Sequence, residues 1–271
     1  MLDLKTLYAT FVRNFTIQIR AYPKDFFIGN ILSAIYTSIS AFFMYHLLFK
    51  GNIKQSFIDY SGTTDYISYI IIGYSMYHFM VRTLLNVSRS LITELREGTL
   101  ESLMLAPFQR VQYFVGNMLQ QTITVTGEAV IMILICLPFG LKFGGLDILS
   151  TVISLLLSFY AYFSISLILA AVMLYTRDTY ISQNTLFSLL FLICGVTFPI
   201  EYLPASIQWL AQGIPVTLSL EIVRNSTLLG VIAADQAGNF LKLFLISTVY
   251  CAIGFLLIKK VETTALEKIH G

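Results

Sequence analysis

Long apolar runs alternate with short polar breaks along this chain, and the runs set its architecture. Six of them, at roughly 26–49, 66–88, 112–140, 148–175, 180–199 and 239–258, are each about as long as a membrane crossing requires. A helix of ~20 residues crosses a ~30 Å hydrocarbon core. The pattern predicts an all-α polytopic membrane protein with six transmembrane helices in one domain, residues 26–271. The fifth run is short and ends in Gly195–Val196–Thr197–Phe198–Pro199.

Two further segments have patterns of their own. Leu4, Leu7, Tyr8, Phe11, Val12, Phe15, Ile19 and Tyr22 recur at three- and four-residue steps, with Asp3, Lys5, Arg13, Asn14 and Arg20 elsewhere around the helix. That spacing predicts an amphipathic helix over residues 1–25, lying in the membrane interface and stopped by Pro23. Between the fifth and sixth runs, residues 200–238 are too apolar for a plain loop, yet Pro199, Pro204 and Pro215 cut them too short for another crossing. Two short helices dipping into the outer leaflet fit best. Such a re-entrant hairpin needs protein or a wet cavity over its non-helical backbone.

Composition agrees with the pattern. Hydrophobic residues make up 56% of the 271 and charged ones 12%, with a mean hydropathy of +0.76. Soluble domains carry about 25% charged residues, so a soluble protein is excluded. A net charge of +2 gives no reason to expect a nucleic-acid partner. Cys136, Cys194 and Cys251 each fall in an apolar run and suit helix packing rather than a disulfide framework. His46, His78 and His270 have no metal-ligand spacing, and no metal is expected. Residues 1–25 lack the apolar core of a cleavable leader.

Charge placement orients the chain. Six spans put both termini on one side. With that side cytoplasmic, 12 Lys and Arg lie inside and 5 outside, namely Lys50, Lys54, Lys142, Arg224 and Lys242. The excess of cations marks the cytoplasmic face.

The break between the second and third runs is the most structured of the polar segments. Glu94, Glu97 and Glu101 stand three and four apart and share a helix face, while Leu95, Thr99 and Leu103 occupy another side with Leu100 nearby. Arg82, Arg89 and Arg96 repeat every seven residues, Gly98 permits a bend, and Pro107 closes the segment. A self-paired solvated surface is one reading. A docking helix over about 90–107 accounts for the acidic and apolar stripes together.

This run, from Glu94-Leu-Arg96-Glu97-Gly98-Thr99-Leu100-Glu101-Ser-Leu103 to Ala106-Pro107 and Gly116, resembles the cytoplasmic coupling segment of type-2 ATP-binding-cassette exporter permeases. A second stretch, Gly195-Val-Thr-Phe198-Pro199-Ile-Glu201-Tyr-Leu203-Pro204 with Gln208, Ile214-Pro215, Glu221 and Arg224, is similar to that family's outward hairpin. The resemblance implies two six-span subunits, identical or different, around a central path, each resting on a cytoplasmic ATPase. It makes Glu94, Arg96, Glu97, Gly98, Thr99, Leu100, Glu101 and Leu103 the coupling residues, and Phe198, Pro199, Glu201, Leu203 and Pro204 part of the outer gate. The expected location is a bacterial cell membrane. The sequence has no GxxxxGK[ST] phosphate loop, so ATP and Mg²⁺ are expected on a separate ATPase, with no cofactor or catalytic residue in this chain. The region Arg20–Gly29 resembles the drug- and antibiotic-export branch, implying a hydrophobic or amphipathic cargo; the alternative is a lipid-linked glycan exporter of the same superfamily.

Within the runs, Glu128 is the one acid deep inside a predicted span, and at mid-bilayer it costs ~2.5–3.5 kcal/mol unless paired or hydrated. A structural role, accepting from Thr124, Thr126 or a neighbouring span, competes with a place on the translocation path. Tyr69 and Tyr77, with Tyr66 on the same face, and Tyr160 and Tyr162 put phenols where interfacial belts do not explain them. They are candidates for lining a path, against ordinary helix packing. Two other function classes fit the sequence less well. A channel or uptake component would not need the Glu94–Pro107 segment. An intramembrane enzyme, suggested by Gly73–Tyr74–Ser75–Met76, would need a histidine base on a later span, and none occurs between His78 and His270.

Overall fold

The computed structural model describes residues 8, 12, 13, 16, 23–48, 50, 54–96, 110–176 and 180–270. All regular structure among them is helical. Of the predicted amphipathic segment, Tyr8, Val12, Arg13, Thr16 and residues 23–25 are described, all helical, the last three opening the next helix. The rest of it lies outside the described residues.

Helix α1 runs Pro23–Phe43 and closes with a π turn at Met44–Leu48. Pro23 therefore opens a helix, where its missing N–H costs nothing. After α2, Gln55–Ser61, Gly62 adopts φ 69° and returns its N–H to Ile58. Then α3 runs Tyr66–Arg96 without a break, about 46 Å at 1.5 Å per residue. Helices α4, Arg110–Cys136, and α5, Ile148–Thr176, follow. Next come α6, Tyr180–Ile193, α7, Ala205–Gly213, α8, Pro215–Thr227, and α9, Ala237–His270.

Among the described residues, three segments are long and apolar enough to cross a membrane: Met118–Phe139, Ile148–Thr176 and Ala237–Val261. They correspond to the third, fourth and sixth predicted runs. The fifth differs from its expectation. Helix α6 has 14 residues, about 21 Å, and residues 194–199 form a turn around Gly195, whose φ is 75°. A left-handed glycine followed by Pro199 ends the helix well before residue 199. The second run also differs. The helix begun at Tyr66 continues past residue 88 to Arg96, taking up the start of the segment expected to be a separate docking helix.

Helix α5 is the centre of the fold, its middle, residues 157–171, buried or half-buried all round, and packed by α3, α8 and α9. Its serines explain how α8 comes so close. Ser150, Ser154 and Ser158 repeat every four residues, and all are fully buried. Ser154 Oγ donates to the Ile222 carbonyl at 3.3 Å, and Ser219 Oγ donates to Ser158 Oγ at 2.8 Å. Small residues with hydroxyls let helices approach closely and still satisfy their polar groups in an apolar medium. Outward-facing positions are apolar instead, with Leu119, Ile123, Val130 and Leu134 on α4 and Leu241, Leu245, Val249 and Leu256 on α9 all exposed. Apolar stripes of that extent belong against lipid or protein.

One end of the bundle is knitted together by side chains. Asp65 caps α3 by accepting from the Ser68 N–H and hydroxyl, and Ser68 Oγ accepts the Lys142 N–H at 2.8 Å. Asp147 caps α5 through the Ser150 N–H, while its own N–H donates to Ser226 at the end of α8. Gln236 Nε2 donates to Ser150 Oγ at 2.8 Å and ties in α9. The starts of α3, α5 and α9 and the ends of α4, α6 and α8 therefore share this end.

Candidate functional site

At that end α8 delivers a buried cation to the turn after α6. Arg224 is 8% exposed and lies among Ile222, Val223 and Ser226, all buried. Its Nη1 donates to the Tyr69 phenol oxygen at 2.9 Å and to the Gly195 carbonyl at 2.8 Å. Its Nη2 donates to the Val196 carbonyl at 2.6 Å. One guanidinium on α8 thereby binds α3 and the turn after α6, because its planar fork can serve several acceptors at once. Gly73, one turn along α3 from Tyr69, makes room: a Cβ there would strike the Val196 carbonyl and Arg224 Nη2.

The expected gate residues follow the Gly195–Val196 turn in sequence, and Pro199 and Glu201 line a cavity with Arg224. Pro199 is buried and begins the short 3₁₀ turn Ile200–Tyr202, and Pro204 precedes α7. Gln208 Nε2 donates to the carbonyls of Glu201 and Leu203, at 3.2 and 2.7 Å, folding the turn back on α7. Phe198 is half-buried, and Glu201 is exposed. Tyr202 reaches α2, where its hydroxyl meets Ser56 Oγ at 3.1 Å and its ring meets Tyr60 edge-on.

Deeper in the bundle, Glu128 on α4 is 2% exposed and faces α3. Its Oε2 lies 3.4 Å from Arg82 Nε and 3.7 Å from His78 Nε2, ion-pair distances without hydrogen-bond geometry. Thr124 and Thr126 donate back to the carbonyls of Gln120 and Thr122. The acid on one helix thus faces a basic pair on its neighbour. Further along α3, Arg89 clamps Gln183 Oε1 through Nε and Nη2, at 3.1 and 2.7 Å, joining α3 to α6.

The tyrosines proposed for a path divide between interior and periphery. Tyr69 is spent on Arg224, and the fully buried Tyr162 shares a hydrogen bond of 2.7 Å with Ser219. Tyr77 donates to the Phe187 carbonyl at 3.3 Å and packs edge-on against Phe191. Tyr160 donates to Thr248 at 3.2 Å and stacks on Phe244. Ser75, the serine of the Gly73–Met76 run that suggested an intramembrane enzyme, donates back to the Ile71 carbonyl at 2.7 Å.

Of the coupling residues, Glu94 and Arg96 fall on the last turn of α3, and nothing of their side chains is described. Glu97, Gly98, Thr99, Leu100, Glu101 and Leu103 lie outside the described residues.

The model of the ABC-2 type transporter family matches residues 10–228, most of the chain and all of the features above up to the end of α8. The chain belongs to the ABC-2 type transporter family. No curated protein matches it. An ABC-2 permease is the membrane component of an ABC transporter, and such permeases work with a cytoplasmic ATP-binding-cassette ATPase. Membership and the apolar helices together make this a multi-pass membrane protein.

Two features of this ABC-2 permease escaped the sequence. The sequence places Arg224 in the hairpin stretch and among the external charges, but not in an enclosed site, although an arginine between Val223 and Asn225 in a hairpin rich in Leu, Ile and Val calls for partners if buried. Arg82 was assigned to the inner surface, yet it is the partner that Glu128 needs. Spacing puts Arg82 on one face of α3 with His78, four residues earlier, but does not say which helix that face meets.

Proposed function

We propose that this ABC-2 permease is half of an exporter that moves a hydrophobic or amphipathic cargo outward by alternating access, driven by a separate ATPase. Six segments cross the membrane, both termini lie on the ATPase side, and a second six-span subunit completes the path. The run Glu94–Leu103 receives the ATPase stroke, and Phe198–Pro204 belongs to the outer gate. The observation that carries the reading is the family match across both stretches. It is supported by the division of Lys and Arg, 12 against 5, and by the unbroken α3, Tyr66–Arg96. A rigid helix that ends at the coupling run and begins at the Tyr69–Arg224 anchor transmits displacement from one to the other.

The test is affinity isolation of the full chain from its native membrane in mild detergent. An ATPase subunit with a phosphate loop should co-isolate and hydrolyse ATP. A chain that comes out alone and transports without ATP contradicts the proposal.

A further inference from the structure

A cavity of about 280 Å³ opens at the knitted end, between α2, the turn after α6, and α8. Its charges are arranged by depth. Asp59, Glu201 and Glu221 line it and are exposed, while Arg224 and Thr217 line it and are 8% and 6% exposed. Arg224 Nε has no hydrogen-bond partner, and the Thr217 hydroxyl has beside it only the Cys194 thiol, a weak partner. Buried polar groups left in this state call for a polar occupant.

The mouth calls for a cation. Asp59 accepts from Gln55 at 3.2 Å, but neither Glu201 nor Glu221 makes an ion pair among the described residues. Although the residue as a whole is exposed, desolvation by the protein around it holds the Glu221 carboxyl above the ordinary carboxylate range, which Lys242 opposes and Glu201 reinforces. The two glutamates therefore repel each other at the mouth of a cavity with a guanidinium at its floor. No three acids, histidines or cysteines among the described residues converge tightly enough to hold a metal ion. An extended organic cation fits where a metal does not. The volume falls just below the ~300–1,000 Å³ of drug-sized sites, suiting a headgroup rather than a whole amphiphile. Apolar rim residues, Tyr60 at 51% and Leu229 at 39% exposure, supply a surface for acyl chains.

We infer that this cavity binds a zwitterion with a primary ammonium and an oxyanion a few bonds apart, of which phosphoethanolamine is a form that lipids present. The ammonium sits between Glu201 and Glu221, donating to both carboxylates, and the oxyanion points toward Arg224 and Thr217. A quaternary ammonium lacks the N–H donors that this arrangement uses. The side of the membrane from which a lipid enters rests on the outward placement of the hairpin; binding itself does not.

The full chain, purified in detergent, is titrated with glycerophosphoethanolamine while thermal unfolding is followed. In parallel it is placed in nanodiscs of phosphatidylethanolamine, phosphatidylcholine or phosphatidylglycerol. Saturable stabilisation by the soluble zwitterion, and by phosphatidylethanolamine over the other two lipids, is expected. Stabilisation by the soluble compound alone supports the site and assigns it to a free solute. In the folded Glu201→Gln/Glu221→Gln variant the apparent affinity should fall about tenfold or more, as loss of charge-assisted hydrogen bonds requires. Thr217→Val, which leaves the anchoring arginine intact, should weaken binding by a smaller factor. Equal stabilisation by all three lipids, no saturable effect of the soluble zwitterion, or undiminished affinity in the double variant overturns the proposal and leaves ordered water as the occupant. ATPase coupling is unaffected by any of these outcomes, so the exporter reading stands or falls separately.

Discussion

Arg224 on α8 lies over the ring of Tyr69 on α3, its guanidinium carbon 3.6 Å from the ring centroid. The same side chain holds the Gly195 and Val196 carbonyls, so the turn after α6 is fixed to α3 through one residue. Cation–π attraction and charge-assisted hydrogen bonds act together where water is excluded. Removing the phenol hydroxyl alone, in Tyr69→Phe, should cost about 1 kcal/mol. Arg224→Met should cost more, because it strands two backbone carbonyls at about 1–3 kcal/mol each. Thermal unfolding of the detergent-solubilised variants gives the order; equal costs would show that the carbonyls find other donors.

Two helical glycines should respond in opposite directions. Gly73→Ala drives a methyl group into the Val196 carbonyl and Arg224 Nη2, and should destabilise strongly. At Gly127 a Cβ meets nothing within 4 Å, so Gly127→Ala should stabilise α4 by up to about 1 kcal/mol through helix propensity. Melting temperatures of the two variants check the contrast.

The helices were legible because apolar periodicity depends on few residues at a time. Five of the six predicted runs coincide with long helices, and the two breaks in 200–238 at Pro204 and Pro215 are where α7 and α8 begin. The end of α6 was overshot because Val196 and Phe198 continue the apolar run through a turn that Gly195 determines by its φ of 75°. Pairings between helices were not legible. Nothing local to Glu128 points to a residue 46 positions earlier, and nothing local to Arg224 points to Tyr69, 155 positions away. Such contacts depend on how α3, α4 and α8 are rotated about their axes, which spacing within one helix does not fix.

Arg82 and Glu128 should behave as a coupled pair. Arg82→Gln leaves the buried carboxylate without its closest cation, and Glu128→Gln leaves Arg82 facing a neutral amide. The double variant should recover part of the loss, with a coupling energy of about 0.5–3 kcal/mol. A double-mutant cycle on unfolding free energy measures it; strict additivity would mean that the 3.4 Å approach contributes nothing.

Burial also refines how topology is to be probed. The proposed outward placement of the hairpin predicts that cysteines at Glu201 or Trp209, both exposed, react with an impermeant thiol reagent in intact cells. A cysteine at Arg224 should react poorly from either side, because that position is enclosed. Labelling at 201 and 209 only after lysis would invert the orientation.

The central claim is that an ATPase drives this permease through the acidic run after α3. Its most direct measurement is permease-dependent ATP hydrolysis in proteoliposomes holding the chain with its co-isolated ATPase, for the unaltered chain and for Glu97→Lys and Glu101→Lys. Both variants should insert normally and lose the stimulation. Full stimulation in both would contradict the claim.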